Sequence, residues 1–217
     1  MKMKIEIRAA IVAATLILSG FCASAQNETD FGTWASLQVN KNWTKAYAFL
    51  RGEHRSCQNV TSSEAWFVAA GCGCKFAPWI NADLSYEFWK LPSAGNPFIH
   101  KGVLSITGTL KRDNLALMLR EKYELADNAA SSSLSHTFRT RLRGQYSFAQ
   151  APVTPYVMYE YFVGAGTGWQ RSLHYLGAEI RVSQHHMFDI FYMYHLYGSN
   201  PYVNSRHLLG LGYYLTF

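Results

Sequence analysis

Three features of the 217-residue chain predict an all-β fold, specifically an up-and-down antiparallel transmembrane β-barrel of about ten to twelve strands. Apolar and polar residues alternate with period two over long segments. The connections between those segments alternate between short turns and longer loops rich in Gly, Ser, Asn and Pro. A leader with the layout of an export signal comes before them.

The leader is residues 1–25. Lys2, Lys4 and Arg8 form a basic start, 9–18 an apolar core, and Ala23, Ser24 and Ala25 a small-residue cleavage site, so the mature chain is expected to begin at Gln26. A permanent transmembrane helix needs about 20 apolar residues, more than this core supplies. Cys22 lies at lipoprotein depth, but the bulky Phe21 before it argues against that processing. Residues 26–217 are then one domain, with no linker dividing them. Losing Lys2, Lys4, Arg8 and Glu6 takes 20 basic and 14 acidic residues to 17 and 13, a net charge of +4. That mild charge contains no Lys or Arg run, which excludes a nucleic-acid partner. With 14 Tyr, 13 Phe and 6 Trp and no helical membrane span, the composition suits a barrel.

The segments follow in order. Residues 32–40 and 43–55 flank a tight turn at Lys41 and Asn42; 63–76 and 80–91 flank 77–79; 98–111 and 115–126 flank 112–114. Residues 134–148 and 153–163 flank 149–152, and 170–182 and 188–197 flank 183–187, before the closing 205–217. The longer set of loops is 56–62, 92–97, 127–133, 164–169 and 198–204, which assigns the short set to the periplasm and the long set to the exterior. Strands of soluble sandwiches average about 5 to 6 residues, and these segments are longer, as tilted membrane strands are. The count comes to about eleven, whereas bacterial single-chain barrels have an even number of strands. Either 32–40 is not a wall strand or a further one lies near 26–31.

Alternation assigns faces. Ala82, Leu84, Tyr86 and Phe88 face lipid, against Asn81, Asp83, Ser85 and Glu87; Phe188, Ile190, Tyr192, Tyr194 and Leu196 do the same against Asp189, Phe191, Met193 and His195. Cys72 and Cys74 share the outward side with Trp66, Val68 and Ala70 and read as small apolar residues. Together with Cys57 they leave an odd cysteine count after cleavage, and no His or Cys partner lies at a metal-site spacing. No metal or other cofactor is expected. Trp169, Tyr197, Tyr202 and Trp89 are expected in an outer aromatic belt, and Trp79, Phe148 and Phe217 in an inner one.

In the closing strand Leu209, Leu211, Tyr213, Leu215 and Phe217 line one face. Gly212, Leu211, Tyr213, Leu215 and the terminal Phe217 resemble the assembly signal of outer-membrane barrels, which implies the barrel assembly machinery and outer-membrane lipid as partners.

The lumen side carries the densest charge. Arg139, Arg141 and Arg143 alternate on one strand, and simple antiparallel arithmetic sets Arg141 opposite Glu160 and Arg181 opposite Asp189, with Glu179 and Arg171 on the same face. Such pairs can knit a narrow, plugged lumen, or the arginine surplus can line a constriction that favours small anions. An alternative is a lipid acyl hydrolase: Ser172 with His174, and Ser205 with His207, each place a hydroxyl and an imidazole on the apolar face, with no outward carboxylate to complete the set. A third reading is a soluble periplasmic ligand-binding barrel. His185 and His186 read as solvated turn residues, and Gly164, Gly166 and Gly168 as a flexible loop lacking the Lys and helix of a phosphate loop.

The runs Arg139-Thr140-Arg141-Leu142-Arg143, Tyr159-Glu160-Tyr161-Phe162, Trp169-Gln170-Arg171, Gln184-His185-His186 through Phe188-Asp189-Ile190-Phe191-Tyr192, and Leu209-Gly210-Leu211-Gly212-Tyr213 resemble the family catalogued as domain of unknown function 2490. The resemblance covers nearly the whole mature chain from Phe31-Gly32-Thr33-Trp34. It implies an exported barrel of Gram-negative bacteria and no particular activity. Cys72 and Cys74 depart from the family's plainer residues there.

Overall fold

A computed structural model of the chain describes residues 29–95, 97–128, 134–198 and 205–217. The expected leader, Cys22 and Tyr202 lie outside them. Eleven strands follow one another: β1 (Thr29–Asn42), β2 (Ala46–Cys57), β3 (Ser62–Ala77), β4 (Ile80–Lys90), β5 (Phe98–Arg112), β6 (Leu115–Asn128), β7 (Leu134–Tyr146), β8 (Val153–Gly164), β9 (Gly168–Arg181), β10 (His186–Tyr197) and β11 (Ser205–Thr216). Each pairs antiparallel with the next, and the sheet closes on itself through β1 and β11. Closure leaves no strand edge unpaired.

The strand at the start of the chain is therefore a wall strand. With eleven strands, β1 and β11 run the same way, and they pair in parallel from Thr29 opposite Ser205 to Asn40 opposite Thr216. The ladder reaches the last residue: Phe217 donates its N–H to Asn40 O at 2.9 Å and accepts from Asn42 N at 2.9 Å. One rim carries Phe217 and the connections β1–β2, β3–β4, β5–β6, β7–β8 and β9–β10; we call it the turn end. The other, the loop end, carries Thr29 and the remaining connections.

Two loop-end connections are tighter than the composition suggests, because pairing continues into them. Asp30 accepts from the N–H groups of Gln58 (3.1 Å) and Asn59 (2.9 Å), holding three successive residues, Gln58, Asn59 and Val60, at φ 53, 54 and 69. Between β8 and β9, Gly166 and Gly168 take φ 82 and 70, values that glycine adopts without strain, so the chain reverses in three residues.

Exposure alternates with the pleat. On β3, Ala65, Phe67 and Ala69 are buried while Trp66, Val68, Cys72 and Cys74 are exposed; on β11, Leu208, Gly210 and Gly212 are buried while Leu209 and Leu211 are exposed. The exposed outer face carries Leu84, Leu104, Ile106, Leu117, Leu119, Phe138, Leu142 and Ile190 among others. The interior repeats one device. Inward rings lie directly across the ladder from inward glycines: Tyr47 opposite Gly73, Phe49 opposite Gly71, Tyr156 opposite Gly177 and Phe191 opposite Gly210. A Cβ on any of these glycines would run into the facing ring. The ring thus covers backbone that the glycine leaves bare and fills part of the lumen.

Candidate functional site

Charge occupies the middle of the lumen. Glu160, fully buried, lies opposite Arg141 as expected and hydrogen-bonds both Arg141 and Arg139, the latter through Nε at 2.9 Å. Arg139 continues to Glu124 at 3.3 Å, which also lies 3.8 Å from Lys101. Arg143 pairs with Glu179 at 2.6 Å. Nearer the loop end Arg206 joins Asp30 (2.8 Å) and Glu64 (2.7 Å), and Glu53 holds Arg51 and Arg55. Such pairing offsets the cost of burial, since an isolated charge removed from water is costly.

One expected pair does not form. Asp189 stands opposite Glu179, not Arg181, which stands opposite Met187. The connection is shorter than expected, with Val182 donating to His186 O at 3.0 Å, so the register moves by two residues while every side chain keeps its face. Asp189 instead accepts from the Tyr156 hydroxyl at 2.9 Å, and Arg181 is exposed at the turn end.

Three lumen cations lack a counter-charge. Among the described residues Arg120, Lys122 and Arg171 have no carboxylate within 4.0 Å. Arg120 donates to Thr107 Oγ1 at 2.8 Å, and the guanidinium of Arg171 sits 4.3 Å from the centre of the Phe162 ring. Lys122 and Arg171 line a central cavity of about 120 Å³ together with Arg55, which lies 3.8 Å over Trp34. A second cavity of about 540 Å³ opens at the loop end, lined by Ile99, Ser135, Thr137, Trp169, Gln170 and Tyr197 among others. The runs Arg51, Glu53, Arg55 and Arg120, Lys122, Glu124 were missed from the sequence, although each shows the same every-second-residue spacing as Arg139, Arg141 and Arg143.

The family model for "Protein of unknown function (DUF2490)" matches residues 31–206, most of the chain. The chain belongs to the DUF2490 family. A solved structure described as "NanC porin structure in rhombohedral crystal form" is similar to this DUF2490 barrel at 11% identity and a TM-score of 0.53. The match covers 84% of this chain and 94% of that one, so the likeness is one of fold. No curated protein matches.

On the outside of the DUF2490 barrel, Ser172, His174, Ser205 and His207 all point outward on β9 and β11. Ser172 Oγ lies 3.5 Å from His174 Nε2, at the limit of a hydrogen bond, and both serines are buried by their neighbours. His207 bonds the hydroxyl of Tyr192. No outward position of β8 to β11 carries a carboxylate. The hydroxyl and imidazole are present without the acid that would orient them.

The outer belt differs from expectation in membership. Trp89 is buried, stacked on Phe67 with ring centroids 4.1 Å apart, and Tyr197 lines the loop-end cavity. Both fall on inward parity, Trp89 with Asp83, Ser85 and Glu87. Outward imidazoles and phenols stand in their place, with Tyr86 bonded to His100 at 2.5 Å and Tyr123 to His136 at 2.6 Å, both pairs near the loop end. Such amphipathic rings suit a boundary between apolar and wet surroundings.

Proposed function

We propose that this chain is an exported, integral outer-membrane barrel acting as a narrow pore that favours small anions. The observation that carries the reading is the lining of the central cavity, where eight Arg and Lys side chains, Lys122 and Arg171 among them, stand against four carboxylates, Glu64, Glu87, Glu124 and Asp189. Fixed positive charge in a confined path lowers the energy of an anion there and raises that of a cation. The apolar outer face supports insertion, and the leader at 1–25 supports export. In this reading outer-membrane lipid surrounds the wall, and Gly212, Leu211, Tyr213, Leu215 and Phe217 engage the assembly machinery. The turn end then faces the periplasm and the loop end the exterior.

Two measurements test it. Fractionation of expressing cells should recover the mature chain in the outer membrane, and recovery in the soluble periplasm would discard the membrane reading. In planar bilayers under a salt gradient the reversal potential should have the sign of anion preference, and Lys122→Glu should reduce or invert it. Silent bilayers with fully folded protein would remove the pore.

A further inference from the structure

Lys101, Glu124 and Arg171 line both the loop-end cavity and the central one, and we call this shared stretch of wall the neck. Glu124 is already engaged by Arg139 at 3.3 Å and lies 3.8 Å from Lys101, so the neck carries two cations against one shared carboxylate. Arg171 Nε is buried without a hydrogen-bond partner. Directly across the β9–β10 ladder stands Tyr197, whose buried hydroxyl is also unpartnered. His195 stacks on it with ring centroids 3.7 Å apart; this residue is only 7% exposed, lines the central cavity and leaves Nε2 without a partner. Buried polar atoms are nearly always satisfied, so three orphans on two adjacent strands, one of them on an uncompensated guanidinium, mark a place that something else completes.

We propose that this neck is a binding site for one small organic oxyanion, a carboxylate or a phosphate monoester. Its charged head is held by Arg171, Tyr197 and His195 with Lys101 close by. Its body occupies the loop-end cavity against Ile99 and Trp169. A guanidinium presents its donors in a fork that matches a carboxylate or phosphate edge, and the phenol adds a neutral donor. The volumes set the orientation. The loop-end cavity of about 540 Å³ falls in the size range of small-molecule pockets, roughly 300–1,000 Å³, whereas the inner 120 Å³ admits little more than the head. Ser135, Thr137 and Gln170 on the cavity wall offer hydrogen bonds to a polar body. The site deepens the anion-pore reading and rests on it for approach from the loop end.

The detergent-folded barrel is titrated with inorganic phosphate, with butyrate and with butylamine, following heat release and tryptophan fluorescence. At least one of the two anions should bind saturably and butylamine should not. Tighter phosphate identifies a phosphate head, and tighter butyrate a carboxylate with a buried body. Arg171→Gln should weaken binding by about tenfold or more and Tyr197→Phe by about threefold, with heat-modifiable mobility confirming that each variant is folded. If Arg171→Gln does not fold, Tyr197→Phe and Lys101→Gln carry the test. Absence of saturable anion binding to folded protein, or affinity unchanged in the folded variants, overturns the site. Anion-selective conductance without binding removes the site and leaves the pore, while binding lost in Arg171→Gln with silent bilayers removes the pore and leaves the site.

Discussion

Glu160 accepts the guanidinium of Arg139 at 2.9 Å and, with its other oxygen, that of Arg141 directly across the β7–β8 ladder. One fully buried carboxylate thus neutralises two strand-neighbouring arginines. Glu160→Gln leaves Arg141 without a carboxylate and Arg139 with Glu124 alone, so folded stability should fall by about 3–5 kcal/mol. Urea unfolding in lipid vesicles, followed by tryptophan fluorescence, measures it; an unchanged midpoint would contradict the paired arrangement.

The register of β9 against β10 makes a second prediction. Arg143 and Glu179 touch at 2.6 Å, whereas Arg181 and Asp189 are not opposed. A double-mutant cycle on Arg143→Gln and Glu179→Gln should show a coupling of about 0.5–3 kcal/mol, and one on Arg181→Gln and Asp189→Asn about zero. The reverse result would restore the register that simple arithmetic suggests.

Gly210→Val sets a side chain where the ring of Phe191 lies, so it should cost about 1–3 kcal/mol or prevent folding. Gly102 faces outward with nothing within 4 Å of an added Cβ, so Gly102→Val should change stability by less than about 0.5 kcal/mol. Folded fraction on heat-modifiability gels separates the two.

The parallel seam can be trapped chemically. Leu37 lies directly opposite Tyr213 across β1 and β11. In a background with Cys57, Cys72 and Cys74 changed to Ser, Leu37→Cys with Tyr213→Cys should form an intramolecular disulfide that shifts the unfolded band, since directly opposed strand residues come within bonding reach. Leu37→Cys with Leu209→Cys, four residues out of register, should not. Deleting Phe217 should reduce folded yield sharply, because it removes both the terminal aromatic and two backbone hydrogen bonds across the seam.

Incubating the folded protein with outer-membrane lipids should release no fatty acid. Ser172 and His174 meet only at 3.5 Å, and no carboxylate stands on that outer face to orient the imidazole. Release abolished by Ser172→Ala or Ser205→Ala would reinstate the hydrolase.

Much of the barrel was legible in the chain. The two-residue period of the pleat determines which side chains share a face, independently of what the strand pairs with. It therefore placed Leu84 and Tyr86 outside, Asp83 and Glu87 inside, and Cys72 and Cys74 among exposed residues before any fold was known. Trp89 and Tyr197 were placed by depth along the barrel alone, and that placement failed, because depth does not decide the face and both fall on the inward parity. Arg141 opposite Glu160 was correct because the β7–β8 connection is centred where the arithmetic set it, whereas the β9–β10 connection is not.

Only the tertiary structure decided the rest. The two-residue register shift that opposes Asp189 to Glu179 depends on the hydrogen bonding of one tight turn. The parallel seam depends on which edges meet once all eleven strands have twisted into a cylinder, and residues such as Asn40 and Phe217 lie too far apart in sequence for any local pattern to pair them. Counter-charge is likewise a property of that closed space. Arg171 looks no different in the sequence from Arg139, and it has no carboxylate within 4.0 Å because Glu124, which shares its stretch of cavity wall, is taken by Arg139 and Lys101.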